Sequence, residues 1–165
     1  MKNSVFISMI LALVIVLAGT SSAVLVLRSN SNVNEIIYDE HFYTSMGNQY
    51  MKLGDVSNAI ISYEDALKLN PNNIQARHNL AIIYHQSGEY QKSIDQLRVL
   101  VVLEPSNPVY AYDLAINLAD NLRYNEVDNL DEAIFYFELA DKLESGYARS
   151  KENLEVLKQI KAVIS

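Results

Sequence analysis

MGNQYMKLGDVSNAIISYEDALKLNPNN, Met46 to Asn73, is the stretch of this 165-residue chain whose reading decides the fold. Small residues, Gly47, Ala59 and Ala66, stand where an amphipathic helix would normally carry large apolar ones. Tyr50 and Tyr63 recur beside them, and the run stops at Pro71. Such small residues let two helix backbones approach closely, and the tyrosines fill the space alongside. Gly54 permits a tight turn between the helices, and Pro71 ends the second one. The regularity of the stretch therefore reads first as the packing of a helical hairpin.

The pattern returns. Pro105 lies 34 residues after Pro71, and aligning on the two prolines brings Tyr50 onto Tyr84, Gly54 onto Gly88 and Leu69 onto Leu103. LNPNN at 69–73 matches LEPSN at 103–107. Self-similarity at this period is the mark of a repeat array. Tyr43, Met46, Gly47, Tyr50, Gly54, Ala59, Tyr63, Ala66 and Pro71 fall on the signature positions of the tetratricopeptide repeat family, which the chain resembles over residues 40 to about 163. The second repeat keeps Leu80, Ala81, Tyr84, Gly88, Tyr90 and Pro105, but places Ser93, Leu97 and Leu100 where the family has Ala, an aromatic residue and Ala. The third repeat starts at Pro108 with Leu114, Ala115 and Leu118 in phase. It regains register only at Ala133, Phe137 and Ala140, six residues late, across an insertion at 121–130. Leu154, Leu157 and Ile160 give a last helical spacing that reads as a cap.

The resemblance implies an all-α protein: a right-handed α-solenoid of three helix-turn-helix repeats (40–73, 74–107, 108–147) closed by a capping helix at 148–163. A lone repeat cannot bury its own faces, so three repeats and a cap are about the minimum for stability. It also implies a concave groove lined by the first helix of each repeat. Carried onto this sequence, the groove positions are His41, Thr44, Ser45, Asn48, Met51 and Lys52; then Gln75, His78, Asn79, Ile82, His85 and Gln86; then Val109, Tyr112, Asp113, Ile116, Ala119 and Asp120. One binding mode of the family is a clamp for a free peptide carboxylate, made of two Asn and three basic residues. Asn48 and Asn79 match the two Asn, but Thr44, Val109 and Asp113 occupy the basic positions, so no such clamp is expected. The two Asn are expected along an extended peptide backbone or simply in solvent.

Ahead of the repeats, Val5 to Leu27 runs 23 residues without a charge. At about 1.5 Å per residue it reaches roughly 35 Å, enough for a hydrocarbon core of about 30 Å. Residues 1–28 are expected to be a transmembrane anchor and 29–39 a juxtamembrane linker. A cleavable signal peptide ending near Ser21 to Ala23 is the rival, which would leave a soluble exported protein. The apolar run continues through Val24 to Leu27, which favours the anchor. Lys2 inside and Arg28 opposite put the repeats on the extracytoplasmic side.

Composition narrows the function. The formal charge is −7, and all 20 acidic residues follow Arg28, so the repeat region is an acidic body without a basic stripe. That argues against nucleic acid and against docking on anionic lipid. The chain has no Cys, and no nucleophile–base pair, ligand cluster or phosphate-cradling loop is visible. No cofactor is expected. His78 and His85 are seven residues apart on one helix, too far to share an ion, and their positions are expected to be incidental. NEVDNLDE at 125–132 lacks the pattern of a calcium loop and reads as an acidic turn before a helix. The expected function is a non-catalytic scaffold whose groove holds a segment of another protein, in a membrane or envelope complex. The alternative is a self-associating structural protein, a homo-oligomer stacked through its apolar edges.

Overall fold

The computed structural model describes residues 38–122 and 129–164. The expected anchor at Val5–Leu27, the linker up to residue 37 and positions 123–128 of the insertion lie outside them. The described residues form seven helices: α1 (Glu40–Leu53), α2 (Val56–Leu69), α3 (Ile74–Gln86), α4 (Tyr90–Leu103), α5 (Pro108–Leu122), α6 (Asn129–Leu143) and α7 (Ser150–Ile164). No helix among the described residues is long and apolar enough to cross a membrane.

Short polar side chains start α1, α2 and α3. The first amide groups of a helix lack intrahelical acceptors. Asp39 takes the Phe42 amide at 2.8 Å, Asp55 the Asn58 amide at 3.1 Å and Asn73 the Ala76 amide at 2.9 Å. Glycine ends the first helix of the first two repeats: Gly54 and Gly88 sit at φ 75° and 74°, a left-handed conformation that a Cβ disfavours. Pro71 and Pro105 stand just beyond the ends of α2 and α4.

The helices pair as three hairpins, each packed on the next, with α7 against α6. Equivalent positions on the second helices form the spine of the core. Ala59, Tyr63 and Ala66 on α2, Ser93, Leu97 and Leu100 on α4, and Ala133, Phe137 and Ala140 on α6 are all essentially without solvent contact. The late register of the third repeat is therefore real packing. Ser93, in the place of an alanine, donates its hydroxyl to the Ala81 carbonyl at 2.8 Å, which removes the penalty of burying it. α5 has 15 residues against 14 and 13 in α1 and α3. Asn129 is the first helical residue of α6. The closing helix starts at Ser150 rather than 148, and it covers the last face less fully than its spacing implies. Leu157 is buried, but Ile160 is 44% exposed.

Gly47 carries a steric requirement. A Cβ there would sit 2.5–2.8 Å from the Tyr63 ring. In the next repeat the same two positions hold Ala81 and Leu97. Gly47→Ala is expected to lower stability by about 1–3 kcal/mol, although Ala is the better helix former. Gly47→Ala with Tyr63→Leu should recover much of the loss, and urea unfolding of the set reads the coupling. A second expectation concerns alkali. Burial raises the phenol pKa of Tyr63, Tyr110, Tyr136 and Tyr147 above the usual 10, and of Tyr84 with help from Glu64. The fold thus favours the neutral phenols. Their contribution is fully present below pH 10 and is lost as pH rises through the raised values. Stability followed from pH 8 to 12 alongside tyrosinate absorbance should fall only above about 10.

A candidate binding groove

Tyr63 lies at the centre of the first inter-repeat junction. It is 1% exposed, with its ring beside Gly47. Its hydroxyl donates to Asn48 Oδ1 at 2.7 Å, and Asn79 Nδ2 donates to the same oxygen at 2.9 Å. One amide oxygen on α1 thus receives a donor from α2 and another from α3. Burial is the main cause of the raised Tyr63 pKa, with the Asn79 side chain opposing it.

Similar polar contacts join α3 to α5 and α5 to α7. His78 Nε2 lies 3.3 Å from Asp113 Oδ2, and its ring meets Tyr110 edge-on at 5.2 Å. His85 Nδ1 lies 3.1 Å from Asn117 Oδ1, whose amide donates to the Asp113 carbonyl at 2.8 Å. Asn153 on α7 donates to the Tyr112 hydroxyl at 3.4 Å. Residues on the first helices therefore form a ladder that holds successive repeats in register.

The ladder changes the roles read from the sequence. Asn48 Oδ1 and the Asn79 amide are joined to each other, and both side chains remain half-buried. His78 and His85 are half-buried bridges to the third repeat, not incidental surface residues. Thr44 is a correction: it is only 3% exposed, so it does not line the groove. Its hydroxyl donates to the Glu40 carbonyl at 2.7 Å and accepts from Asn73 Nδ2 at 3.1 Å, because buried Asn73, already capping α3, needs an acceptor for its amide. Met51 is half-buried against the core around Tyr63 and Leu80. His41 (beside Glu40 at 3.7 Å), Lys52, Gln75, Ile82 and Gln86 are exposed, and Ser45 is half-buried. Val109, Tyr112, Ile116 and Ala119 are half-buried against the core around Leu114 and Phe137.

Two hollows follow this face. The smaller, about 120 Å³, lies between α3 and α5, with Ile82, His85, Gln86, Asp113, Ile116 and Asn117 around buried Ala81, Ser93 and Leu97. The larger, about 420 Å³, lies among α5, α6 and α7 and is lined by Ile116, Ala119, Asp120, Leu122, Phe137, Asn153, Val156, Leu157 and Ile160. Ile116 borders both, which makes them one groove. Asn117 and the α7 residues were missed from sequence. The signal for the latter was present: with the six-residue insertion the period becomes 40, and 40 residues beyond Asp113, Ile116 and Asp120 stand Asn153, Val156 and Ile160. The capping helix occupies the place of a first helix and extends the groove. Among the described residues no three His, Cys, Asp or Glu gather as metal ligands.

Stacked helical hairpins, the first two in 34-residue phase, with first helices forming one face and a helix closing the stack, make a TPR-like helical solenoid. Residues 47–88 match a family model described as TPR repeat. TPR repeat-containing protein MJ1428 of Methanocaldococcus jannaschii is 44% identical over 52 residues, covering 32% of this chain and 9% of that protein. The curated relatives that match are far longer, and the aligned part spans 8% to 31% of their length. Among solved structures, the first TPR of Spaghetti (RPAP3) bound to an HSP90 peptide superposes with TM-score 0.64 at 20% identity, over 75% of this chain and 94% of that one. The MamA protein superposes with TM-score 0.65 at 25% identity, over 74% of this chain and 63% of that one.

Substitutions should separate structural from binding roles in this face. Asn48→Leu strands the buried Tyr63 hydroxyl and is expected to cost about 1–3 kcal/mol in urea unfolding. Adding Tyr63→Phe should return a large part of that loss. Full additivity of the two would show that the hydroxyl does not depend on Asn48.

Proposed function

We propose that this protein is a non-catalytic interaction scaffold, held at a membrane by Val5–Leu27 with its repeats on the extracytoplasmic side, whose concave face receives a segment of a partner protein. One observation carries the reading: the face built by α3, α5 and α7 is continuous, and its open part is apolar where the ladder ends. Ile82, Val156 and Ile160 are large apolar side chains left in solvent on the rim of that groove. Concave, mostly apolar surfaces with a few placed polar groups are where ligands bind. The same fold in RPAP3 holds an HSP90 peptide. The partner here is of another kind, because Thr44 is buried and Val109 and Asp113 stand in place of cations, so an acidic carboxylate tail has nothing to grip. A membrane tether would raise the effective concentration of the module near partners in the same membrane.

Photo-crosslinking from position 86, on the groove rim, in intact membranes should yield an adduct with a partner protein, lost in Ile82→Glu. Ile82 is solvent-exposed, so the change should leave the fold intact. An adduct indifferent to Ile82→Glu would remove the groove as the binding face. The full chain should also resist extraction by alkaline carbonate, and its release would overturn the tether.

A further inference from the structure

The larger hollow has a charge pattern that specifies its occupant more closely, on the footing of the groove function above. Val156 and Ile160 form its α7 wall and remain 54% and 44% exposed, opposite Ile116, Ala119 and Leu122. Apolar area left in water on a concave surface is the driving force that an apolar occupant would recover. At about 420 Å³ the hollow falls within the range of about 300–1,000 Å³ typical of ligand clefts.

Charge on the two sides of α7 is segregated. Lys158 meets Glu138 at 2.9 Å, Lys161 meets Asp131 at 2.6 Å and Lys151 lies 3.8 Å from Asp141. All three acids are on α6, and none of these six residues lines the hollow. The larger hollow is lined by one carboxylate, Asp120, and among the described residues by no Lys or Arg; Asp113 borders the smaller hollow that adjoins it, beside His78. Glu152 is exposed one helical turn before Val156. An apolar slot edged by acids repels acidic peptides. It also disfavours a second copy of this chain, because the part beyond Arg28 carries all 20 acidic residues of a −7 protein.

We infer that the hollow between α5, α6 and α7 takes a basic amphipathic segment of a partner protein, seating large aliphatic side chains against Val156, Ile160 and Ile116 while Lys or Arg of the same segment faces Asp120 and, where the segment runs on along the groove past Ile116, Asp113. The apolar contact supplies affinity. The carboxylates select charge and speed encounter.

The chain has no Cys, so Gln159→Cys offers one attachment point for an environment-sensitive dye on the exposed side of α7 next to Ile160. The full chain in neutral lipid nanodiscs is titrated with a synthetic peptide of Leu and Lys at helical spacing, and with matched peptides carrying Glu for Lys or Ser for Leu. Saturable response to the Leu/Lys peptide alone is expected. Val156→Asp and Asp120→Lys should each weaken it about tenfold. Raising salt from about 50 to about 500 mM should weaken it as well. Asp120→Lys should begin to accept the Leu/Glu peptide, which a merely misfolded variant would not do. Equal response to the Leu/Glu peptide, or indifference to Val156→Asp, overturns the inference. So does a dimer that Val156→Asp dissociates in sedimentation without any peptide response, which assigns the hollow to a second copy. If partner crosslinking from position 86 persists and still depends on Ile82 while the Leu/Lys peptide fails, this inference falls and the groove function stands. Absence of any groove-dependent adduct removes both.

Discussion

The phenol of Tyr63 fixes how closely the first two hairpins can stand, and the rest of the stack is laid down from there. Its ring needs a residue without a side chain on α1, which is Gly47. Its hydroxyl needs a buried acceptor, which is Asn48, and the remaining capacity of that oxygen is taken by Asn79 on the next repeat. A single aromatic side chain thereby couples an intra-hairpin distance to an inter-hairpin one. The second and third hairpins solve the same problem with Leu97 and Phe137, which have no hydroxyl, and there the polar link passes to histidine and asparagine instead.

This division explains what could be read from the sequence. The hairpin packing was legible because it is steric. Glycine, alanine, aromatic residue and proline can occupy their places only if two helices cross there, and the same residues return one period later. The phase of Ala133, Phe137 and Ala140 was legible for the same reason and is buried as read. Side-chain destinations on the groove face were less legible. Thr44 has the polarity of a surface residue, but it is buried, with the amide of Asn73 across the junction and the Glu40 carbonyl satisfying its hydroxyl. His78 and His85 could not be paired with Asp113 and Asn117 until the stacking of α3 on α5 was fixed. The part played by α7 was hidden because a strict 34-residue ruler passes over the insertion. The membrane segment was read from length and apolarity alone, and it lies outside the described residues.

Polar groups in this protein have two distinct uses. Inside the ladder they are paired with one another, half-buried, and set spacing. Outside it, Arg98 and Glu132 make a two-pronged pair at 3.2 and 2.7 Å between the second and third hairpins, and the α7 lysines reach α6. Exposed ion pairs of this kind contribute about 0–1 kcal/mol each and weaken with salt. The closing helix therefore depends for its attachment chiefly on Leu157 and Leu154, with buried Ser150 anchoring its start through the Tyr147 carbonyl at 2.7 Å. It is the least firmly held wall of the groove.

The reach of the ladder also bears on how the chain comes to be folded. Its side-chain contacts join residues 31, 32, 35 and 41 apart, about one repeat in each case. Each hairpin can therefore complete its contacts as soon as the following helix has left the ribosome, with no distant strand to await. Chains built from such local contacts acquire structure quickly, and during synthesis the N-terminal hairpins are the first able to do so. The apolar faces of the early hairpins are then covered in the order in which they are made, and the period during which they stand open to other chains is short.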